Sequence, residues 1–308
     1  TLSNTALADY ASLDGTGNAY TILIGDAVID AAALQALNAK TTVDINLTAD
    51  TSISGTLADV NAIVAETGIT AVNDAITVTI TDASITAAEA ETLVASTVGN
   101  VTATIAADAA GTINTALTVN ADGNDNFSIT ITDATADAGV LNTLNSRTAT
   151  DVDVTSLTAI TGSFADIDTL YTATANFTGL GNENITATGN LTAVQINTLR
   201  GHTSGTVTEI VNNMTAGVTA VNAALANTGV DALTLVVDVT DAAMTQLELR
   251  DLIALDGKTS VAIDGSAITS VTGTHAELMS LYSAGEAGTI TGLGNEAITA
   301  NDTSITVS

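Results

Sequence analysis

The sequence predicts an α/β repeat solenoid, in which parallel β-strands alternate with short capped helices. Three observations carry this. The stretch 76–98, ITVTITDASITAAEAETLVASTV, reads as strand, turn and helix; six boxes of the form Ser/Thr-x-x-Asp/Glu/Gln, at 56, 86, 163, 192, 245 and 274, share one register; and the apolar set is mainly Ala, Val, Ile and Leu, with 2% aromatics and no Trp, Pro or Cys. Small and β-branched side chains suit narrow repeated layers, whereas large irregular cores draw on bulky aromatics.

Within 76–98, Ile76, Val78 and Ile80 alternate with Thr77, Thr79 and Thr81, the period of a strand with one buried face. Thr86-Ala-Ala-Glu89 follows as a capping box, and Ala90, Leu93 and Val94 continue at helical spacing. One strand and one helix of about ten residues cannot bury their own apolar faces, so copies must stack.

The helix starts fall into two alternating classes. Caps of the first are Asp30, Thr86, Asp137, Thr192 and Thr245, at intervals of 56, 51, 55 and 53 residues, with apolar residues four and seven positions on. Caps of the second are Thr56, Ser163 and Thr274, each preceded by glycine at Gly55, Gly162 or Gly273. Degenerate second-class members lie near 109–116 and 219–226, and Leu7-Ala-Asp-Tyr10 matches Leu57-Ala-Asp-Val60. Units of about 27 residues, paired into superunits of about 54, thus run through 1–308 as a single continuous solenoid of about eleven strand–helix units. Strands are expected at 20–24, 43–47, 76–80, 101–105, 127–131, 152–155, 185–188, 207–210, 233–239 and 261–263. Their regular alternation with helices implies parallel pairing through crossover connections. The pattern is cut partway through at both ends, which predicts a segment or protomer of a longer assembly, with self-association by stacking.

Composition excludes several function classes. A chain of 308 residues that is 46% hydrophobic is not a disordered one. Thirty-four acidic residues against five basic ones give a formal charge of −29, which repels nucleic acid and anionic membrane surfaces. No apolar run is long enough to span a bilayer, so direct membrane insertion is not expected. Lys40, Arg147 and Arg200 follow the last apolar helical position, where a cation complements the helix dipole.

Candidate chemistry centres on acids. Asp26, Asp82, Asp133 and Asp241 each follow a first-class strand. Stacked, they would form either a carboxylate ladder for Ca²⁺ or a series of Asx-turns that bend the chain into its helix. The loops 13–18, 121–126, 179–184 and 292–297 are rich in Gly, Asn and acid; Asp122, Asn124 and Asp125 sit where the run Gly123 to Phe127 matches half of a calcium β-roll nonapeptide. Turn chemistry at the corners is the alternative. His202 and His275 stand in unrelated contexts without a nucleophile, and acid pairs such as Asp151 and Asp153 belong to the repeat pattern, so a polysaccharide-cleaving site is disfavoured and the chain is not expected to be an enzyme. Threonine rows such as Thr77-Val-Thr79 resemble the flat faces of ice-binding proteins, and they are also good strand formers.

This acidic, proline- and cysteine-free pattern of strand, cap and helix resembles the repeat regions of very large bacterial surface proteins of the cyanobacterial and marine type. The resemblance implies an extracellular, cell-surface location and a structural role as S-layer, sheath, filament or adhesin stalk. It also implies frequent Ca²⁺ dependence, and it transfers no site residues; surface polysaccharide stays open as a partner.

Overall fold

The computed structural model describes residues 2, 6–47, 52–66, 68–70, 76–97, 99–118, 121, 123–189, 191–209, 213–226 and 236–302. It is an α/β chain in which parallel strands alternate with helices in several sheets, none of them a closed barrel among the described residues. The helices are α1 (Ala31–Asn38), α2 (Leu57–Ala65), α3 (Ala87–Ser96), α4 (Ala110–Ala116), α5 (Ala138–Asn145), α6 (Phe164–Thr172), α7 (Ala193–His202), α8 (Val218–Ala226), α9 (Gln246–Asp256) and α10 (His275–Ala287), with a 3₁₀ helix at Leu7–Ser12.

The chain divides into two compact units. The first comprises Thr1–Ala134, Val140–Ser156 and Ala173–Gly179. Its main sheet has seven parallel strands, from Val28–Asp30 through Ser52–Gly55, Thr77–Ile80, Val101–Thr104, Asn126–Thr130 and Val152–Asp153 to Phe177–Thr178. Val28 lies opposite Ser52, Ser52 opposite Thr77, Val78 opposite Val101 and Thr102 opposite Asn126, steps of 24, 25, 23 and 24 residues. The second unit comprises Thr135–Gly139, Leu157–Thr172 and Leu180–Ser308, and holds two four-stranded sheets and one of three strands. There the step grows to 27 residues where Ala243 faces Ser270 and Ser270 faces Ala297.

Register explains the core. Ile29, Ile53, Val78 and Val101 occupy successive rungs of one row and are all buried, as are Ile129, Val152 and Phe177 in another. The apolar pair four and seven residues after each cap is buried in every case: Leu34 and Leu37, Val60 and Ile63, Ala90 and Leu93, Leu141 and Leu144, Ile167 and Leu170, Ile196 and Leu199, Leu249 and Leu252, Leu278 and Leu281. Each large aliphatic so buried contributes about 1.5–3 kcal/mol, which holds short helices that would not persist alone.

Helix starts follow the predicted caps. Thr86, Thr192, Thr245 and Thr274 form reciprocal boxes with Glu89, Gln195, Glu248 and Glu277. Thr56 and Ser163 accept the N–H of Asp59 and Asp166, whose carboxylates take the cap hydroxyls at 2.6 Å.

Two expectations change. The expected strand at 20–24 is not formed; Val28–Asp30 pairs into the sheet in its place. Strands also form immediately before the second-class caps, at Ser52–Gly55, Ala159–Ser163 and Ser270–Gly273. They are short, and each ends on or beside the glycine that weakens a strand pattern. The glycines are there for space. A Cβ on Gly55 would lie 2.7 Å from Ala31 Cβ, and one on Gly273 would lie 2.5 Å from Leu249 Cδ2. The preceding first-class helix packs against this position; at Gly162 the contact is looser, 3.3 Å from Ala138 Cβ, and the φ of 150° itself favours glycine.

Candidate functional site

The recurring aspartates do one job. Asp82 accepts the N–H of Leu57 at 2.6 Å, Asp133 that of Ala110 at 2.6 Å and Asp241 that of Val218 at 2.6 Å; Asp26 accepts that of Leu7 in the same way. Each donor is the first residue of a second-class helix, 19 to 25 positions earlier in the chain. The first N–H groups of a helix have no partner within it, and the helix dipole favours an anion there. Each half-buried carboxylate therefore caps a helix that precedes it in the chain. Asp302 does the same for His275 at 2.6 Å and belongs to the set, although the sequence pattern did not single it out.

This arrangement matters most where a helix has no cap of its own. Ala6 and Ala109, at the N-caps of the 3₁₀ helix and α4, offer no side-chain bond, and the residue before Val218 is Gly217, whose added Cβ would stand 2.9 Å from the Asp241 carboxylate. Asx-turns do occur, at Asp153 and Asp264, which accept the N–H of Thr155 and Ser266 at 3.0 and 2.9 Å. The Ser266 backbone bond, reinforced by its hydroxyl, holds the Asp264 carboxyl below its usual value.

The Gly/Asn loops are fastened by threonines. Thr41, Thr148 and Thr203, soon after α1, α5 and α7, donate their hydroxyls to Tyr20 O, Phe127 O and Glu183 O at 2.8, 2.8 and 2.6 Å. The following N–H groups of Thr42, Ala149 and Ser204 reach Asn18 O, Asp125 O and Gly181 O at 2.8, 2.7 and 2.9 Å. A helix-end threonine thus clasps a loop that precedes it by some twenty residues in three of the four loops. Among the metal candidates there, Asp125 is buried with Oδ1 accepting Val101 N–H at 2.7 Å, Asn124 is exposed, and Asp122 lies outside the described residues. Among the described residues, no three His, Cys, Asp or Glu side chains gather as a metal site would require.

One cluster was not foreseen. Glu183 is 1% exposed, and its Oε2 accepts from Tyr171 OH and Gly181 N–H, both at 2.9 Å. His202 stacks on Tyr171 with centroids 5.0 Å apart and bonds Asp168 Oδ1 through Nε2 at 2.9 Å. Burial, helped by the Glu183 charge, raises the Tyr171 phenol well above its usual value, so it serves as a hydrogen-bond donor. Only the repeat of Gly-Leu-Gly-Asn-Glu at 179–183 and 292–296 could have signalled this pairing.

The basic residues also reach across unit seams: Lys40 Nζ to Ala11 O at 3.2 Å, Arg147 to Ala121 O at 3.1 Å and Lys258 Nζ to Asn222 Oδ1 at 3.2 Å. Among the described residues only α7 holds a Lys or Arg in its last turn, Arg200, so the dipole argument covers one helix and neighbour contacts account for Lys40, Arg147 and Lys258. No helix is long and apolar enough to cross a membrane among the described residues. Comparison with known proteins finds no family model, no curated protein and no solved structure that matches this chain.

Proposed function

We propose that this chain is a structural protein: an α/β solenoid whose strand–helix units stack, and which works by assembling into a surface layer, sheath or filament outside the cell. The observation that carries the reading is the use of its acids. Asp26, Asp82, Asp133, Asp241 and Asp302 each bond a helix start in the neighbouring unit, and Glu91 on α3 takes the Thr118 N–H at 2.9 Å. Groups that a catalyst or an ion site would hold free are here committed to coupling one unit to the next. Strand partners 22 to 27 residues apart within each of the two units support the solenoid, since each turn of chain then lays one rung on the last. The extracellular placement rests on the resemblance to acidic bacterial surface repeats.

Electron microscopy of purified chain, with sedimentation across a concentration series, tests this. Regular filaments or sheets are expected; a chain that stays monomeric at every concentration and salt refutes the assembly. Immunogold labelling of intact cells tests the location.

A further inference from the structure

The loop Gly179-Leu-Gly-Asn-Glu183 returns as Gly292-Leu-Gly-Asn-Glu296, and the two fold alike. Gly179 and Gly181 have φ of 105° and 124°, Gly292 and Gly294 of 81° and 130°. A Cβ on Gly179 or Gly292 would lie 2.7 Å from the Cα of Thr155 or Ser266. In both loops the glutamate turns back to a glycine N–H and a tyrosine hydroxyl. Glu296 takes Gly294 N–H at 2.8 Å and Tyr282 OH at 2.9 Å, as Glu183 takes Gly181 and Tyr171. Burial, the largest influence, would raise the Glu296 carboxyl; the backbone N–H groups of Gly294, Glu296 and Asn295 and the Tyr282 hydroxyl together outweigh it and hold the group below its usual value.

The cover differs. Over the first loop, His202 stacks on Tyr171, Thr203 and Ser204 bond Glu183 O and Gly181 O, Ser204 Oγ bonds Asn182 Oδ1 at 2.9 Å, and Thr206 N–H bonds Asn184 Oδ1 at 2.9 Å. Over the second loop, no described residue makes those contacts. A groove of ≈ 410 Å³ remains, lined by Tyr282, Glu286, Ile290, Thr291 and Leu293 among others. Beside it the strand Ala297–Ala300 is exposed along its length, with Ile298 at 56%, and it stands at the edge of its three-stranded sheet among the described residues.

We infer that this groove is an assembly surface, and that its occupant is a second copy of this chain, seated as α7 and the segment 202–206 seat on the first loop. The inference rests on the structural reading above and names its contact. The covered loop specifies what the open one needs: a planar ring stacked over Tyr282, as His202 stacks on Tyr171, hydroxyl and N–H donors for the loop carbonyls, and a parallel strand for the edge at 297–300. A sugar could meet the second requirement but not the third, whereas a strand–helix unit of the kind this chain repeats meets all three. Because the groove takes a face unlike itself, the contact is heterologous, and such contacts propagate unless they close into a ring. Two chains of formal charge −29 repel, so association should strengthen with salt.

Sedimentation velocity on the full chain and on two variants tests this. Ile298→Lys places a charge on the exposed edge; Val194→Lys changes a residue 72% exposed on α7 and serves as control. Lysine lowers net repulsion, so lost association cannot be attributed to charge. The expected result is concentration-dependent assembly of wild type and control, with the Ile298→Lys midpoint moved at least about tenfold to higher concentration. Should Ile298→Lys melt below wild type, Asn295→Lys on the exposed loop is read in its place. If all variants assemble alike, this surface is wrong and the structural reading stands. If all remain monomeric, both fall.

Discussion

Asp133→Ala removes the carboxylate that bonds the Ala110 N–H at the start of α4, a helix whose own N-cap, Ala109, makes no side-chain bond. Loss of a capping acceptor costs about 0.5–2 kcal/mol, and a charged acceptor lies toward the upper end. Asp133 is only half-buried, so water recovers part of the bond, and about 1–2 kcal/mol is expected. At roughly 2–4 °C per kcal/mol, the unit containing α4 should melt about 2–8 °C lower. Asp82→Ala is the matched comparison. It takes the same bond from Leu57, but α2 keeps Thr56 on the Asp59 N–H at 3.2 Å, so a smaller loss is expected. Urea titration gives the energies, and amide hydrogen exchange at Ala110 to Thr112 localises them. If Asp133→Ala moves the midpoint by less than about 0.3 kcal/mol and leaves those amides as protected as before, the cross-unit capping argument is refuted.

Further outcomes follow from the same geometry. Ala109→Ser supplies the missing N-cap of α4 and should stabilise by about 0.5–1 kcal/mol in urea, since the cap position is already extended at φ −65° and ψ 140°. Gly55→Ala forces a methyl against Ala31 Cβ and should cost about 1–3 kcal/mol, whereas Gly111→Ala, which meets nothing within 4 Å in α4, should be neutral or stabilising. Tyr171→Phe leaves the buried Glu183 carboxylate short of a donor and should cost about 1–3 kcal/mol; Tyr282→Phe, against the half-exposed Glu296, should cost clearly less. The capping carboxyls Glu89 and Glu248 are held below 4.5 by the backbone N–H of Thr86 and Thr245, and Glu277 is lowered to about 2 by the Thr274 N–H and then Arg250. A lowered folded value means these groups stabilise fully above about pH 4.5 and lose that contribution as pH falls toward 2. The urea midpoint should therefore drop between about pH 4.5 and 2, by less in Glu277→Gln, and a flat profile contradicts the assignment. Adding EGTA should leave the melting curve of the chain unchanged, because the candidate carboxylates already hold backbone N–H groups; a fall in melting temperature restored by Ca²⁺ would favour the adhesin reading.

The Asp ladder divides what was legible from what was not. Recurrence of Thr-Asp-Ala marked Asp82, Asp133 and Asp241 as equivalent, yet local rules offered only a turn or a cation for them. The true partner lies 23 to 25 residues away, and no local pattern names it. Glycine before the second-class caps was visible as a regularity, while its cause, the approach of Ala31 or Leu249, required the neighbouring helix. The short strands at 52–55 and 159–163 were missed because four or five residues ending on or beside a glycine carry little period-2 signal.

By itself the sequence determined the strand–cap–helix alternation, the positions of the helix starts and the sixteen buried helical positions that follow eight of them, because capping and amphipathic spacing are interactions within about one or two turns of chain. Tertiary structure alone decided which unit each acid serves, which threonine clasps which loop, and that Glu183 is enclosed while its sequence twin Glu296 lies open. Those are bonds between elements remote in the chain, brought together by strand register, and register is settled only when the strands pair.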